Sequence, residues 1–313
     1  MSVLKISVAQ LNCAFADVPS NLAKIRSLVI QASKEGMELI LFPEFCTSAI
    51  GYSKEMLKVG VQGDMTRTTL QKLSHEFHII IGGSYLLFDG TDCYNSFDLF
   101  FPNGEIYSHK KDIPTQFENC YYTKGDTSHI LHTPIGDIGV ALCWEMIRYD
   151  TIKRLSEQAD IILAGSCWWD LPDDAPSSRE PLRKYNQNLA LETPVTFAKL
   201  LHTPVIHASH CGKITTFNFP SENQMKTRQL VGASQIIDEQ GNILARRNFD
   251  EGEGLIFADI DICKHLKSPS NMMNDSYWIP NLPDTYIKAW NEMNPLGECY
   301  YQQHALPYYK THS

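Results

Sequence analysis

Short apolar runs rich in β-branched residues alternate along this chain with stretches whose apolar residues recur every three or four positions, the pattern of a layered α/β protein. The first run predicts a strand over 4–10. Leu22, Ile25, Val29 and Ala32 then predict a helix over 19–34, stopped by Gly36. The uninterrupted apolar segment 38–43 predicts a buried strand, followed by a helix over 66–76 and strands over 78–82 and 93–101. Pro102-Asn-Gly104 predicts a hairpin turn into a strand over 105–109. The second half repeats the plan, with a strand over 136–143, a helix over 148–158 and a strand over 160–164. A long helical region, 179–202, is expected to be interrupted near Pro194. Strands over 205–209, 232–237, 243–246 and 254–261 complete the core. Residues 264–313, rich in Pro, Asn, Tyr and Trp, have weak periodicity. The expected organisation is one domain over 1–263, made of two sheet-plus-helix units, and a C-terminal extension over 264–313.

Composition narrows this picture. With 43% hydrophobic and 20% charged residues in 313, disorder and small disulfide scaffolds are excluded. A formal charge of −9 with no Lys/Arg run removes the electrostatic attraction that nucleic-acid binding needs. The nine cysteines are scattered and form no Cys-x-x-Cys pair, which fits a reducing compartment. No signal-peptide pattern opens the chain and no apolar stretch approaches the length of a bilayer span. A cytoplasmic protein without membrane or nucleic-acid partners is expected.

The candidate chemistry lies where polar residues directly follow buried strands, because such strand ends deliver side chains into crevices. Leu39-Ile-Leu-Phe-Pro-Glu44 ends in a carboxylate, and Gly139-Val-Ala-Leu-Cys143-Trp-Glu145 ends in a thiol. Between them His109-Lys-Lys111-Asp-Ile-Pro-Thr-Gln-Phe-Glu118 carries a basic pair. These segments resemble the nitrilase superfamily of carbon–nitrogen hydrolases, whose Glu–Lys–Cys triad occurs in that chain order. Segments 232–241 and 253–261 resemble later parts of the same family, so the likeness covers about residues 4–261.

The resemblance implies a fold and a site. The fold is an α-β-β-α sandwich of two stacked mixed sheets with helices on both outer faces. Cys143 is then the nucleophile, Glu44 the general base, and Lys111 the donor to the developing oxyanion together with the Trp144 backbone N–H. Glu118 stands where the family has a second glutamate beside the lysine. The Cys-Trp-Glu and Pro-Thr-x-x-Glu patterns are closer to the nitrilase branch than to the commonest amidase branch. The lysine segment permits two registers: counting back from Pro114-Thr115-x-x-Glu118 selects Lys111, whereas a Lys-x-x-Ile-Pro form selects Lys110. Trp168 and Trp169, which follow the strand 160–164, are candidate substrate-pocket walls. Relatives assemble across a two-fold axis, so a homodimer or higher homo-oligomer is expected, with the tail aromatics Trp278, Tyr286, Trp290, Tyr300 and Tyr301 covered by a neighbour.

Blander roles apply elsewhere. Cys13, Cys46, Cys93, Cys263 and Cys299 read as small buried hydrophobes. His207 and His210, beside Cys211, and His129 and His132 are three apart, and residues so spaced on a strand face opposite sides. No metal site and no cofactor are therefore expected. The activity indicated is cofactor-independent cleavage of a small-molecule amide, carbamoyl compound or nitrile through a covalent cysteine intermediate. A catalytically silent binding or assembly protein on the same scaffold and an acyltransferase using the same triad are the alternatives. The segment between Trp169 and Val205, with Pro172, Pro176, Pro181 and Pro194, is longer than in typical members.

Overall fold

The computed structural model describes residues 3–125, 129–262 and 276–313. Two six-stranded mixed sheets stack face to face. In the first, Val3–Gln10, Leu39–Leu41 and Ile80–Phe88 run parallel, Cys93–Phe100 and Ile106–Lys110 meander away, and Gly254–Asp261 lies antiparallel against Val3–Gln10. In the second, Gly136–Leu142, Ile161–Ser166 and Val205–Ser209 run parallel, Ser234–Ile237 and Ile243–Arg247 meander away, and Ile130–Thr133 lies antiparallel against Gly136–Leu142. The repeat suggested by the sequence is thus a repeat of topology: three parallel strands, two meandering strands and one antiparallel edge strand. Helices packed around the two sheets give the expected α-β-β-α sandwich.

Between the sheets Ile6, Val8, Leu39, Leu41, Leu99, Val140, Leu142, Leu163 and Ile206 form one apolar layer. Fully burying each such side chain contributes about 1.5–3 kcal/mol, and truncating one to Ala would cost about 2–5 kcal/mol because the layer cannot collapse around the hole. The first helix, Val18–Lys34, starts where the Asp17 carboxylate accepts from Ser20 N at 3.2 Å, and it buries Leu22, Ile25, Val29 and Ala32 as its spacing requires.

Several elements differ from the sequence reading. The helix Glu180–Leu201 runs through Pro194 without a break. Proline forfeits the bond to the carbonyl four residues back, yet Leu189, Ala190, Phe197 and Leu201 stay buried along one face and hold the helix down. A third sheet, Trp169–Pro172, Ser221–Leu230 and Lys213–Asn218, was not expected at all. Only Leu230 of Ser221–Leu230 is buried, so the strand lacks the inward apolar set that announces one. The tail contains the helices Asp284–Tyr300 and Leu306–His312, and its aromatics pack on their own chain. Tyr301 and Tyr309 enter the core beside the first sheet, with Tyr309 OH donating to Tyr121 O at 2.9 Å. Trp290 stacks on Trp144 at 5.6 Å between ring centres. The apolar surface from which a covering neighbour was inferred is therefore largely covered within the chain. The expected domain boundary and Cys263 lie outside the described residues. Cys299 is exposed, not buried as expected, because it lies on an outward face of the tail helix.

Candidate active site

Glu44 sits in the turn that follows Leu39–Leu41 and is completely buried. That depth is possible because the neighbouring strand carries Gly165, where a Cβ would come within 2.7 Å of Glu44 N. One carboxylate oxygen accepts from Lys111 Nζ at 2.8 Å and from Asn95 Nδ2 at 2.9 Å. The other accepts from the backbone N–H of Cys167 at 3.2 Å.

Lys111, immediately after Ile106–Lys110, is equally enclosed, and its ammonium also donates to Glu118 at 2.8 Å and to Thr115 Oγ1 at 3.1 Å. Lys110 points the other way: it pairs with Asp89 at 2.9 Å near the surface, over the Tyr94 ring. Of the two lysines left open by the sequence, the one brought to Glu44 is Lys111, as alternation along an extended segment dictates. Glu118 is fixed by the start of the short 3₁₀ turn Gln116–Cys120, where it accepts from Thr115 N at 3.1 Å and from the Tyr122 hydroxyl.

Cys143 ends Gly136–Leu142 and opens a second 3₁₀ turn, Cys143–Ile147, with φ of 51°. A non-glycine residue held in the left-handed region is strained, and such strain gathers at functional sites. The turn also leaves the early N–H groups, Trp144 among them, without intrahelical acceptors. Cys143, Glu118, Trp144, Trp168, Trp169 and Tyr286 line one cavity of about 130 Å³. Trp168 is held by Nε1 donating to Asn186 Oδ1 at 3.0 Å, and Trp169 lies against Phe117 with ring centres 4.7 Å apart. All seven residues singled out in the sequence therefore meet at one place.

Burial is the largest influence on Glu44, Lys111 and Cys143, and their neighbours add to it or offset it. It raises the Glu44 pKa to about 7; Lys111 pulls it back and Glu118 pushes it further up. Burial also pulls Lys111 down, yet Glu118 and Glu44 outweigh it and the ammonium is held above its ordinary range. The Cys143 thiol is pushed well up, first by burial and then by Glu44. The resting thiol is therefore neutral and lies beside a carboxylate poised near neutrality.

The sequence reading missed the supports. Asn95 and the Cys167 N–H hold the Glu44 carboxylate, His210 Nε2 lies 2.7 Å from the Glu44 carbonyl, and Tyr286 reaches the cavity from the tail. Asn95 was findable as a polar residue at an inward strand position, whereas Tyr286, read from the sequence as a tail aromatic for a neighbour to cover, lines the cavity instead. Behind the site a second buried cluster appears. Glu145 accepts from Leu142 N at 2.7 Å and from Asp112 N at 2.8 Å, with His109 Nε2 at 3.3 Å. Asp112 pairs with Arg148 and Arg154. His109, His129 and Glu145 are close enough to share an ion, a grouping that sequence spacing had concealed. Glu145 is engaged on the two backbone N–H groups and His129 Nδ1 on Val140 O at 2.8 Å, while His129 Nε2 is buried without a hydrogen-bond partner among the described residues.

Residues 5–264 match the carbon-nitrogen hydrolase family model. The chain belongs to that family. Nitrilase 1 of Arabidopsis thaliana is 26% identical over 291 residues, covering 83% of this chain and 80% of that protein. N-carbamoylputrescine amidase of the same plant is 27% identical over 299 residues, covering 90% and 93%. Among solved structures, a carbon-nitrogen hydrolase from Helicobacter pylori G27 superposes with a TM-score of 0.72 at 19% identity, covering 83% of this chain and 89% of that one. An amidase from Nesterenkonia sp. gives 0.64 at 18%, covering 82% and 90%. The carbon–nitrogen hydrolase family thus accounts for the sandwich, and the described residues contain no helix long and apolar enough to cross a membrane.

Proposed function

We propose that this carbon–nitrogen hydrolase cleaves a small amide, carbamoyl compound or nitrile through a covalent intermediate on Cys143. The observation that carries the reading is the convergence of a strained thiol, a carboxylate poised near neutral pH and an enclosed ammonium at the strand ends beside one small cavity. Cys143 Sγ bonds to the carbonyl carbon as its proton passes to Glu44. The oxygen gathers charge and is received by the Lys111 ammonium and the Trp144 N–H. Glu44 returns the proton to the departing nitrogen, so the carbon–nitrogen bond breaks and ammonia or an amine leaves a thioester. Water then attacks that thioester while Glu44 takes its proton, and the thiol is regenerated with a carboxylic acid as product. With a nitrile the first adduct is a thioimidate, which adds water and loses ammonia to reach the same thioester.

Trp168, Trp169 and Tyr286 favour an apolar substrate body, and the cavity restricts its size. The complete set of acid–base, oxyanion and nucleophile types weighs against a silent binding scaffold. Ammonia release across a panel of amides, carbamoyl compounds and nitriles tests the reading, with mass spectrometry of the quenched reaction for an adduct on the peptide containing Cys143. Activity is expected to survive chelation. Turnover that persists in Cys143→Ala would overturn the mechanism.

A further inference from the structure

A second cavity, of about 150 Å³, adjoins the first and shares Gln116, Phe117 and Trp169 with it. Tyr52, Phe217 and Phe219 supply further aromatic wall, and the Arg228 guanidinium is the one charged group among its lining residues. Arg228 lies on Ser221–Leu230 and is placed over the Trp169 ring, 5.2 Å from its centre. Its Nη2 donates to Asn218 Oδ1 at 2.6 Å, while Nη1 is buried and has no hydrogen-bond acceptor among the described residues.

That arrangement is unusual for an arginine. No carboxylate forms an ion pair with Arg228 among the described residues: nearby Asp174 is engaged by Lys226. Burial pulls the guanidinium pKa down, and the charge of Asp174 only partly offsets it. A desolvated cation with a free donor calls for an anion. Aromatic walls and a single free nitrogen suit a carboxylate on an apolar body better than a doubly charged phosphate, which needs more donors.

We infer that the substrate is a carboxylate-bearing amide, carbamoyl compound or nitrile, its reactive end at Cys143 and its acid group on Arg228, with an apolar spacer laid along Phe117 and Trp169. The inference rests on the reading of Cys143 as nucleophile, and it adds the class of molecule cleaved. Phe117 and Trp169 then form the sill between a reaction chamber and an acid-binding chamber, and Arg228 sets specificity without touching the reacting atoms.

The test compares the monoamides of glutaric, adipic and pimelic acids with their methyl esters, which keep the chain and lose the charge. For the best chain length, kcat/KM for the acid is expected to exceed that for the ester by at least about tenfold, mainly through KM, the gain of one partly desolvated charge pair. R228Q should bring the acid-to-ester ratio to within about threefold of one, and R228K should recover part of it. A wild-type ratio near one, or a ratio that R228Q leaves in place, overturns the inference. The free diacids separate a substrate group from an independent effector. Competitive inhibition against a neutral amide supports the inference, and non-competitive inhibition overturns it. If no amide is turned over, calorimetry of pimelate with the Cys143→Ala protein decides the site apart from the chemistry. Binding that R228Q abolishes upholds the acid chamber while the proposed reaction fails, and no binding overturns the chamber.

Discussion

Two buried clusters of charge lie next to each other along 109–118 and 142–148, and they are built to opposite ends. The front cluster, Glu44, Lys111 and Glu118, holds two carboxylates against one ammonium at the edge of a cavity. The rear cluster sets Asp112 and Glu145 against Arg148 and Arg154 and adds backbone N–H donors. Burial pushes Glu44, Glu145 and Asp112 up, but only in the rear do the neighbours prevail: His109 and His129 hold Glu145 below its ordinary range, and nearby His129 together with the Arg148 guanidinium holds Asp112 well below its own. Glu44, short of positive charge, rises to about 7. A balanced cluster is scaffold, because its protons are fixed. An unbalanced one has a proton that moves at neutral pH, as general base catalysis requires.

The largest expected break of this contrast is Cys143→Ala. It removes the group that the front cluster serves, and turnover should fall by at least ~10⁴-fold while the melting temperature stays within a few degrees. Glu44→Gln, which cannot accept the thiol proton, should approach the same loss. The two are not expected to multiply in the double variant, since they act on one proton transfer. Steady-state rates with a thermal melt on each variant check this. Full additivity would mean that Glu44 works elsewhere.

The lysine pair comes next. Lys111 meets both front carboxylates and its removal should lower kcat by roughly 100- to 1,000-fold, with a smaller change in KM, because an oxyanion donor acts on the transition state. Lys110→Met, which loses a surface pair with Asp89 and a contact over the Tyr94 ring, should stay within about threefold of wild type. Equal effects of the two substitutions would remove the distinction between site and surface.

How far the sequence revealed this contrast depends on what each residue's neighbours in sequence could say. Glu44 and Cys143 each end an apolar run, whereas Lys111 follows a short polar strand and was picked out by the family resemblance, so delivery of the three to one crevice followed from strand order and that resemblance together. The stacked sheets were legible for the same reason. Apolar runs reported burial, and the helix over 19–34 was placed within a residue of its observed bounds because the apolar spacing and the stop at Gly36 agreed. The exposed hairpin Lys213–Asn218 and Ser221–Leu230 was illegible, since its pairing uses backbone bonds and few buried side chains. Arg228 went unnoticed with it. The rear cluster was hidden differently: His109 lies on Ile106–Lys110 of the first sheet and His129 just before Ile130–Thr133 of the second, so they meet only when the sheets form, and their rings stand 4.5 Å apart across that junction.

The pH dependence sharpens the comparison with a smaller effect. Glu44 must be ionised to act, so kcat/KM should fall about tenfold per unit as pH drops below about 7. Stability carries the opposite sign in the two clusters. The folded pKa of Glu44 is raised from 4.5, so its contribution is present below 4.5 and lost as pH rises toward 7. Glu145 is depressed from 4.5, so its contribution is present above that value and lost as pH falls through the folded pKa. Chemical denaturation at several pH values should show Glu44→Gln removing the neutral-side decline and Glu145→Gln reducing the acid-side loss.

Among substitutions within the two clusters, the smallest effect on rate is expected from Glu145→Gln itself. The carboxylate joins the N–H that precedes Cys143 in the chain to the N–H that follows Lys111, so it sets the nucleophile and the oxyanion donor relative to each other without touching either reacting atom. Glutamine keeps the shape but has one acceptor oxygen, so one of the two buried N–H groups loses its partner at a cost of about 1–3 kcal/mol. A misplacement of a fraction of an ångström at Cys143 should then lower kcat by about tenfold. The discriminating measurement is the position of the acid limb of kcat/KM. A purely positioning residue leaves the limb near 7, where Glu44 puts it, while lowering the plateau and the melting temperature together. If the limb moves with the substitution, Glu145 shares the titrating proton and the two clusters are one electrostatic unit. If neither plateau nor melting temperature changes, the rear cluster does not hold the front one in place.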